Sequence, residues 1–289
     1  MDYTLREWVQ LARQHGSIAA AAVAVQAAES GTNETIVRAM MRHHLQYKQE
    51  AVKNGLDEKL RSVSGLTGGQ AALLMQYFQQ GRSLCGNLLG KAEAYALATA
   101  ECNACMGKIV AAPTAGACGI LPGAVIAMME EKGVTEEQAV DALFTAAAVG
   151  QSIATQASIS GAEGCCQAEC GSAAAMAAAA LTFLQGGNPQ QCVDAAAFAL
   201  MNLLGLVCDP VGGLVEVPCV KRNVIGAMNA VSAADMALAG IESRIPVDEV
   251  IDAMGEVGRR MPVELRETAL GGLAATPTGR AVKERMAQQ

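Results

Sequence analysis

The chain has 289 residues, enough for one large domain or two modest ones, each with a substantial core. Its formal net charge is −7, and no basic run is interleaved with aromatic residues, so we expect no nucleic-acid partner. The hydrophobic fraction is 52% with only 3% aromatic residues, which favours closely packed helices. The richest apolar stretch, at 173–184, is too short to span a membrane, so we expect no membrane association.

The N-terminal sequence MDYTLREWVQLARQ lacks the basic start, apolar middle and cleavage site of a signal peptide. We therefore expect a cytoplasmic protein. In that compartment thiols stay reduced, so the ten cysteines do not indicate five disulfides. Metal binding or catalysis is the more informative hypothesis for them.

The apolar positions indicate helices along the whole chain. Residues 5–54 predict two amphipathic helices separated near 30–33. Later helices are predicted at 70–78, 124–129, 136–157, 171–184, 189–204, 223–239 and 246–260. No alternating pattern lasts long enough to build a sheet. We predict an all-α fold with one compact domain over residues 1–289, in which residues 1–40 are a candidate N-terminal arm.

Two loops rich in small residues each precede a predicted helix, one at 62–69 and one at 112–123. A helix start presents free N–H donors and the positive end of the helix dipole, so it binds anions such as a substrate carboxylate. The first candidates for that role are Ser62, Ser64, Gly65, Thr67 and Gly68, and the second are Thr114 and Gly116. The alternative is that the glycines only permit tight turns.

The cysteines differ in their surroundings. Cys85 and Cys192 lie in apolar helical sequence and fit ordinary core residues. The pair Cys102 and Cys105 forms a CxxC, but no second CxxC and no suitably spaced histidine complete a zinc site. The remaining candidates lie in Gly-rich, polar loops that suit thiolate ligands of an iron-sulfur cluster. Spacing alone does not select which cysteines bind.

Three thiolates on a four-iron cube would leave one iron without a protein ligand, where it acts as a Lewis acid. The matching reaction is loss of a β-hydroxyl from a small acid, while a side-chain base removes the α-proton. Candidate bases are Lys221, His43 and His44. Candidate acceptors for a substrate ammonium group are Glu163, Glu169 and Asp209.

Five motifs occur in a fixed order. They are SVSGLTGG at 62–69, AAPTAGACGILP at 111–122, SGAEG with CQ at 160–167, VCDPVGGLVEVPCVKRN at 207–223 and ETALGG at 267–272. Together they resemble the iron-sulfur-dependent L-serine dehydratases, and specifically the α subunit of the two-subunit bacterial form. The resemblance covers nearly the whole chain.

The resemblance implies a helical catalytic fold and a 4Fe-4S cluster bound by Cys166, Cys208 and Cys219. Cys165 and Cys170 stay open as alternatives to Cys166. It also implies conversion of L-serine to pyruvate and ammonia without pyridoxal phosphate, in amino-acid degradation and gluconeogenesis. A regulatory β subunit is the implied partner, and a homo-oligomer is also expected. The last seven residues, KERMAQQ, contain no cysteine that would fill the open iron position.

Three other functions stay open from the sequence. An L-cysteine desulfidase or a threonine dehydratase would keep the cluster and change the leaving group or the substrate. A non-catalytic cluster-binding subunit or electron carrier would hold its cluster through four thiolates. The first two differ from the serine enzyme in their products, and the third differs in its ligand count.

Overall fold

The computed structural model describes residues 2–288, and every regular element in that range is helical, as predicted. The α-helices are α1 (Leu5–His15), α2 (Ile18–Ser30), α3 (Glu34–Gly55), α4 (Gln70–Gln79), α5 (Gly86–Ala104), α6 (Ile120–Lys132), α7 (Glu136–Gln156), α8 (Gly161–Cys166), α9 (Ser172–Leu184), α10 (Pro189–Met201), α11 (Cys219–Leu238), α12 (Val247–Arg260) and α13 (Pro277–Met286). A π-helical turn covers Gln167–Gly171, and 3₁₀ turns cover Val211–Gly213, Val263–Leu265 and Gly272–Ala275. None of the described helices is both long and apolar enough to cross a membrane.

The N-terminal region forms three helices where the sequence predicted two. Gly16, in the left-handed conformation, ends α1, and the Ser17 side chain caps the start of α2. Leu5, Trp8 and Ile18 are buried in the main core, and α2 packs against α7. Helices α1 and α2, within the segment predicted as a candidate arm, thus contribute side chains to the main core.

Helix α5 was absent from the predicted elements because it has no amphipathic period to detect. Most of its residues are buried, many of them alanine, so its apolar positions surround the helix. Cys85, predicted to lie on an apolar helical face, instead precedes α5 and is partly exposed. Cys192 lies buried in α10, as the sequence suggested.

The core is built around α9, whose residues from Ser172 to Thr182 are all buried. Helices α6, α7, α10 and α11 pack around it. Small residues permit very close approach elsewhere too. A β-carbon on Gly119 would lie 2.1 Å from the carbonyl oxygen of Ala96, so the start of α6 rests directly on the backbone of α5. This packing fixes the helix start that follows the loop at 112–119.

Candidate functional site

A distorted turn leads into α9 and carries several cysteines. Cys165 has a φ of 65°, a left-handed conformation that is uncommon for a residue other than glycine. Its thiol faces Arg266 and the backbone of Cys208. The π-helical turn that follows carries Glu169 and Cys170. Such turns within helices frequently occur at functional sites.

Four thiols meet at this turn, and we call Cys166, Cys170, Cys208 and Cys219 the thiol cluster. The Cys166 thiol lies close enough to each of the other three for them to shift one another's pKa values. All four residues are buried. Three chain segments contribute to the cluster: the turn before α9, the loop at 208 and the first residue of α11.

The contacts polarise the thiol cluster. Hydrogen bonds from Cys170, Cys208 and Cys219, helped by the charge of Arg222, hold the pKa of Cys166 far below that of an ordinary thiol. The same contacts with Cys166, together with burial, raise the pKa values of the other three thiols. Convergent sulfur atoms of this kind are suited to bind a soft metal centre.

Arg222 is the cation beside the thiol cluster. Its Nη1 donates to the Cys166 sulfur at 3.1 Å and to the Val207 carbonyl at 2.8 Å. Its Nη2 donates to the buried Asp209 carboxylate at 2.9 Å. The second oxygen of Asp209 accepts from the backbone N–H of Leu273. Arg222 therefore links the first and second predicted ligand segments while balancing negative charge.

The buried side-chain amides of Gln167 and Asn223 join the chain segments around the thiol cluster. Gln167 accepts from the N–H of Gly205 and donates to the carbonyl of Met254, tying the turn to α12 and to the segment before Cys208. Asn223 accepts from the N–H of Gly119 and donates to the carbonyls of Gly116 and Cys219. The starts of α6 and α11 are thereby joined.

The 208 loop is closed by the C-terminal part of the chain. The Cys208 N–H donates to the Leu265 carbonyl at 2.8 Å, and the Glu267 N–H donates to the Cys208 carbonyl at 2.9 Å. These bonds form the isolated bridge between residues 208 and 266. Residues 265–267, part of which belongs to the fifth sequence motif, thus form one wall of the site.

Glu169 lies beside the thiol cluster. One of its carboxylate oxygens is within 4.8 Å of the sulfurs of Cys166 and Cys208. Thr114 donates its hydroxyl to Oε1 of Glu169 at 2.7 Å. Burial raises the pKa of Glu169 to about 7, against the opposing effect of the Thr114 hydrogen bond. The second candidate carboxylate-binding loop and the thiol cluster therefore meet at Glu169.

The first candidate loop, at 62–69, has most of its donors engaged. Ser62 and Ser64 donate to Glu216 at 2.7 and 2.8 Å. Buried Glu101 accepts from four groups at the start of α4: the hydroxyl of Thr67 and the N–H groups of Gly68, Gln70 and Ala71. The anion at this helix start is thus the protein's own carboxylate.

None of the candidate bases makes a side-chain hydrogen bond to this arrangement within the described residues. Lys221 is exposed on α11, and His43 and His44 are exposed on α3. His44 lines a separate cavity of about 300 Å³ together with Trp8 and residues of α2 and α7. No hydrogen bond between described residues joins either histidine to the thiol cluster. The suggestion that the N-terminal helices bring a histidine to the site therefore has no support in the fold.

The candidate ammonium acceptors differ in availability. Glu163 is exposed and accepts from Ser158 at 2.6 Å. Asp209 is engaged by Arg222 and by the N–H of Leu273. Glu169 lies beside the thiols and accepts from one side-chain donor, Thr114. It is therefore the most available of the three acceptors.

Sequence reasoning missed Glu101 and Glu216, the two buried acids behind the 62–69 loop. Glu216 lies inside the fourth motif, three residues before Cys219, so its position in that motif was an available signal. Glu101 precedes Cys102 of the CxxC and has no comparable signal. The Cys102 thiol donates to the Lys108 carbonyl, a structural role within the end of α5.

An all-helical domain with a buried set of thiols, one balancing arginine and an adjacent carboxylate defines a class of protein built around a sulfur-rich centre suited to soft metals. A model of the serine dehydratase alpha chain family matches residues 13–274. The chain belongs to this serine dehydratase alpha chain family.

Individual relatives agree with the family. The "Probable L-serine dehydratase, alpha chain" of Bacillus subtilis is 56% identical over 255 residues, 88% of this chain and 84% of the relative. The "L-serine dehydratase, alpha chain" of Peptoniphilus asaccharolyticus is 50% identical over 215 residues, 74% of each chain. The "L-serine dehydratase" of Streptomyces coelicolor is 48% identical over 182 residues, 62% of this chain but 40% of that longer relative. These matches confirm the predicted family and the predicted enzyme class, a lyase of the L-serine dehydratase kind.

Proposed function

We propose that this chain is the catalytic alpha subunit of an iron-sulfur L-serine dehydratase that converts L-serine to pyruvate and ammonia. One observation carries the proposal: the buried thiols of Cys166, Cys208 and Cys219 lie close together, although the three residues come from separate segments. Each is at most 6% exposed. The names of the relatives support the same substrate.

The proposed cofactor is a 4Fe-4S cluster held by Cys166, Cys208 and Cys219, and the proposal requires no pyridoxal phosphate. The donor set fits, because soft thiolates are the usual protein ligands of such clusters and Arg222 supplies a balancing N–H group and charge. When bound, the cluster supplies a Lewis-acidic iron without a protein ligand, which polarises the β-hydroxyl of the substrate.

The substrate carboxylate has two candidate binding loops. The loop with Thr114 and Gly116 is favoured for its position, since it reaches the thiol cluster at Glu169, although that carboxylate already accepts a hydrogen bond from the Thr114 hydroxyl. The other loop, with Ser62, Ser64, Gly65, Thr67 and Gly68, is second because Glu101 and Glu216 already accept most of its donors. For the α-proton base, Lys221, His43 and His44 stay predictions without a supporting contact.

The proposal treats residues 1–289 as one catalytic domain that works with a separate β subunit and forms a homo-oligomer. Two observations support a separate second subunit. Relatives of similar length are named alpha chain, and the Streptomyces relative is longer than the region that matches this chain. All ten cysteines are free, which suits a reducing compartment, and we propose a cytoplasmic location.

The proposal is tested on protein purified without oxygen and reconstituted with the β subunit. We expect about four irons per chain, a cluster signal that changes when L-serine is added, and pyruvate formation. Sulfide from L-cysteine and 2-oxobutanoate from L-threonine measure the two competing activities. An unchanged cluster signal together with no pyruvate would refute the dehydratase proposal.

Cys170 supports a second candidate function, a non-catalytic cluster-binding subunit. Its buried thiol lies beside that of Cys166 and would supply a fourth thiolate, which would close the open iron position. The variant Cys170→Ala separates the two. With three ligands the variant keeps its iron and forms pyruvate, whereas with four ligands its iron content falls.

A further inference from the structure

The carboxylate of Glu169 lies beside the thiol cluster, and the only role expected for it from the sequence is that of an acceptor for the substrate ammonium group. It extends from the π-helical turn, one residue before Cys170. One of its oxygens is within 4.8 Å of the sulfurs of both Cys166 and Cys208. Glu169 is therefore a carboxylate placed directly beside the proposed cluster ligands, where a substrate held by the cluster would be bound.

One hydrogen bond aims the Glu169 carboxylate. Thr114 donates to Oε1 at 2.7 Å, and it is the one hydrogen-bond donor to this carboxylate among residues 2–288. Oε2 therefore keeps its lone pairs for a substrate. Thr114 lies in the loop before α6, and Asn223 anchors that loop to the start of α11 through the carbonyl of Gly116.

Two glycines face the same carboxylate. A β-carbon on Gly116 would lie 3.0 Å from Oε1 of Glu169, and one on Gly161 would lie 2.8 Å from Oε2. The same point at Gly161 is 2.9 Å from Oε2 of Glu267. Backbone alone therefore lies against the carboxylate at these two positions, and any larger side chain at either would crowd it.

We propose that Glu169 is the base that removes the α-proton of the substrate, and that Thr114 is the positioning residue that aims it. The inference rests on the proposed function and assigns to Glu169 the role for which Lys221, His43 and His44 were candidates. Asp209 is a poorer choice, because Arg222 and the N–H of Leu273 occupy its oxygens.

The step is balanced within the active site. Oε2 of Glu169 takes the proton from the α-carbon, and the electron pair of that C–H bond forms the double bond between the α- and β-carbons. The bond between the β-carbon and its oxygen breaks, and its electron pair leaves with the hydroxide. Glu169 then returns the proton to that hydroxide as water. No oxidant or reductant is required.

The test compares Glu169→Gln with the matched control Glu256→Gln, a surface carboxylate paired with Arg260 on α12. Both are measured as the complete enzyme with the β subunit and its cluster. The readouts are iron content, the serine-induced change in the cluster signal, pyruvate formation, and release of deuterium from α-deuterated serine. For Glu169→Gln we expect full iron, a retained serine-induced change, and about 10²- to 10⁴-fold slower pyruvate formation and deuterium release. The control should match the wild type in all four.

Thr114 provides a second, milder test. Thr114→Val removes the hydroxyl that aims the carboxylate, and we expect kcat to fall about tenfold with iron content unchanged, whereas Thr114→Ser restores most of kcat. If Thr114 had a purely structural role, Thr114→Val would instead change iron content or stability, and Thr114→Ser would not restore kcat.

Several outcomes would overturn the inference. Glu169→Gln with kcat within threefold of the wild type would show that another group is the base. Loss of iron from Glu169→Gln would make Glu169 a cluster ligand. Wild-type enzyme that forms no pyruvate would instead refute the proposed function itself, so the two failures are distinguishable.

Discussion

The thiol cluster and the 62–69 loop are both polar centres at helix starts, yet their donors and acceptors are arranged in opposite ways. At the 62–69 loop, Glu101 and Glu216 accept from the hydroxyl and N–H donors, so these donors are satisfied within the chain. At the thiol cluster, four sulfurs face one another with Arg222 as the neighbouring cation. A centre that satisfies itself stabilises the fold, whereas convergent thiols suit an external metal.

The largest effect is expected at the thiol cluster. Cys166→Ala, Cys208→Ala and Cys219→Ala should each abolish the iron-sulfur absorbance and pyruvate formation, because each removes one of the proposed ligands. Cys192→Ala is the matched control, a buried cysteine of α10 whose replacement should leave the absorbance intact. Full iron content in any of the three variants would show that the replaced cysteine is not a cluster ligand.

Glu101→Gln should cost about 4 kcal/mol of unfolding free energy, since four donors at the start of α4 lose their buried carboxylate. Urea unfolding measures the loss. The folded variant should bind iron like the wild type, because Glu101 contacts none of the cluster thiols. An unchanged urea midpoint would show that this centre does not carry the stability assigned to it.

Lys48 offers a third case for the comparison. It is a buried charge that has no carboxylate in hydrogen-bonding range within the described chain. Burial lowers its pKa to about 8 from 10.5. Between these two values the unfolded chain binds more protons than the folded one, so stability should rise with pH by up to about 3 kcal/mol and level off above 10.5. Lys48→Met should remove this rise and stabilise the protein at pH 7.

The pH dependence is measured by urea unfolding between pH 7 and 11 for both proteins. A wild-type curve that is flat between pH 8 and 10.5, or that keeps the same slope in Lys48→Met, would contradict the assignment to Lys48.

The smallest effect is expected for Ser64→Ala. Glu216 keeps the hydrogen bond from Ser62, so the loss should be about 1 kcal/mol. The same variant tests whether the loop binds the substrate carboxylate. We expect KM for L-serine to change less than threefold. A rise of tenfold or more would indicate that the 62–69 loop binds the substrate carboxylate.

Helices with clear ends were predictable from the sequence. Helix α7 was predicted at 136–157 and spans Glu136–Gln156, starting at a capping box formed by Thr135 and Gln138. Helix α5 was missed because its alanines are buried on all sides and produce no period. The break at Gly16 was missed because the apolar spacing continues across it.

The site was predictable only in part, because its contacts join distant segments. The family motifs pointed to Cys166, Cys208 and Cys219, and the fold brings these residues together along with Cys170. The partners of the 62–69 loop were not predictable, since Glu101 and Glu216 reach it from α5 and from the segment before α11. The local sequence pattern predicts that a helix start offers N–H donors, but it does not identify the group that accepts hydrogen bonds from them.

The clamp that residues 265–267 place on Cys208 bears on how the enzyme is made. A ribosome synthesises Cys166, Cys208 and Cys219 before it reaches Leu265 and Glu267, whose backbone bonds close the 208 loop. The binding pocket is therefore completed late in biosynthesis. If the thiol cluster holds the proposed cofactor, residues 265–267 must be synthesised before the loop around it can close.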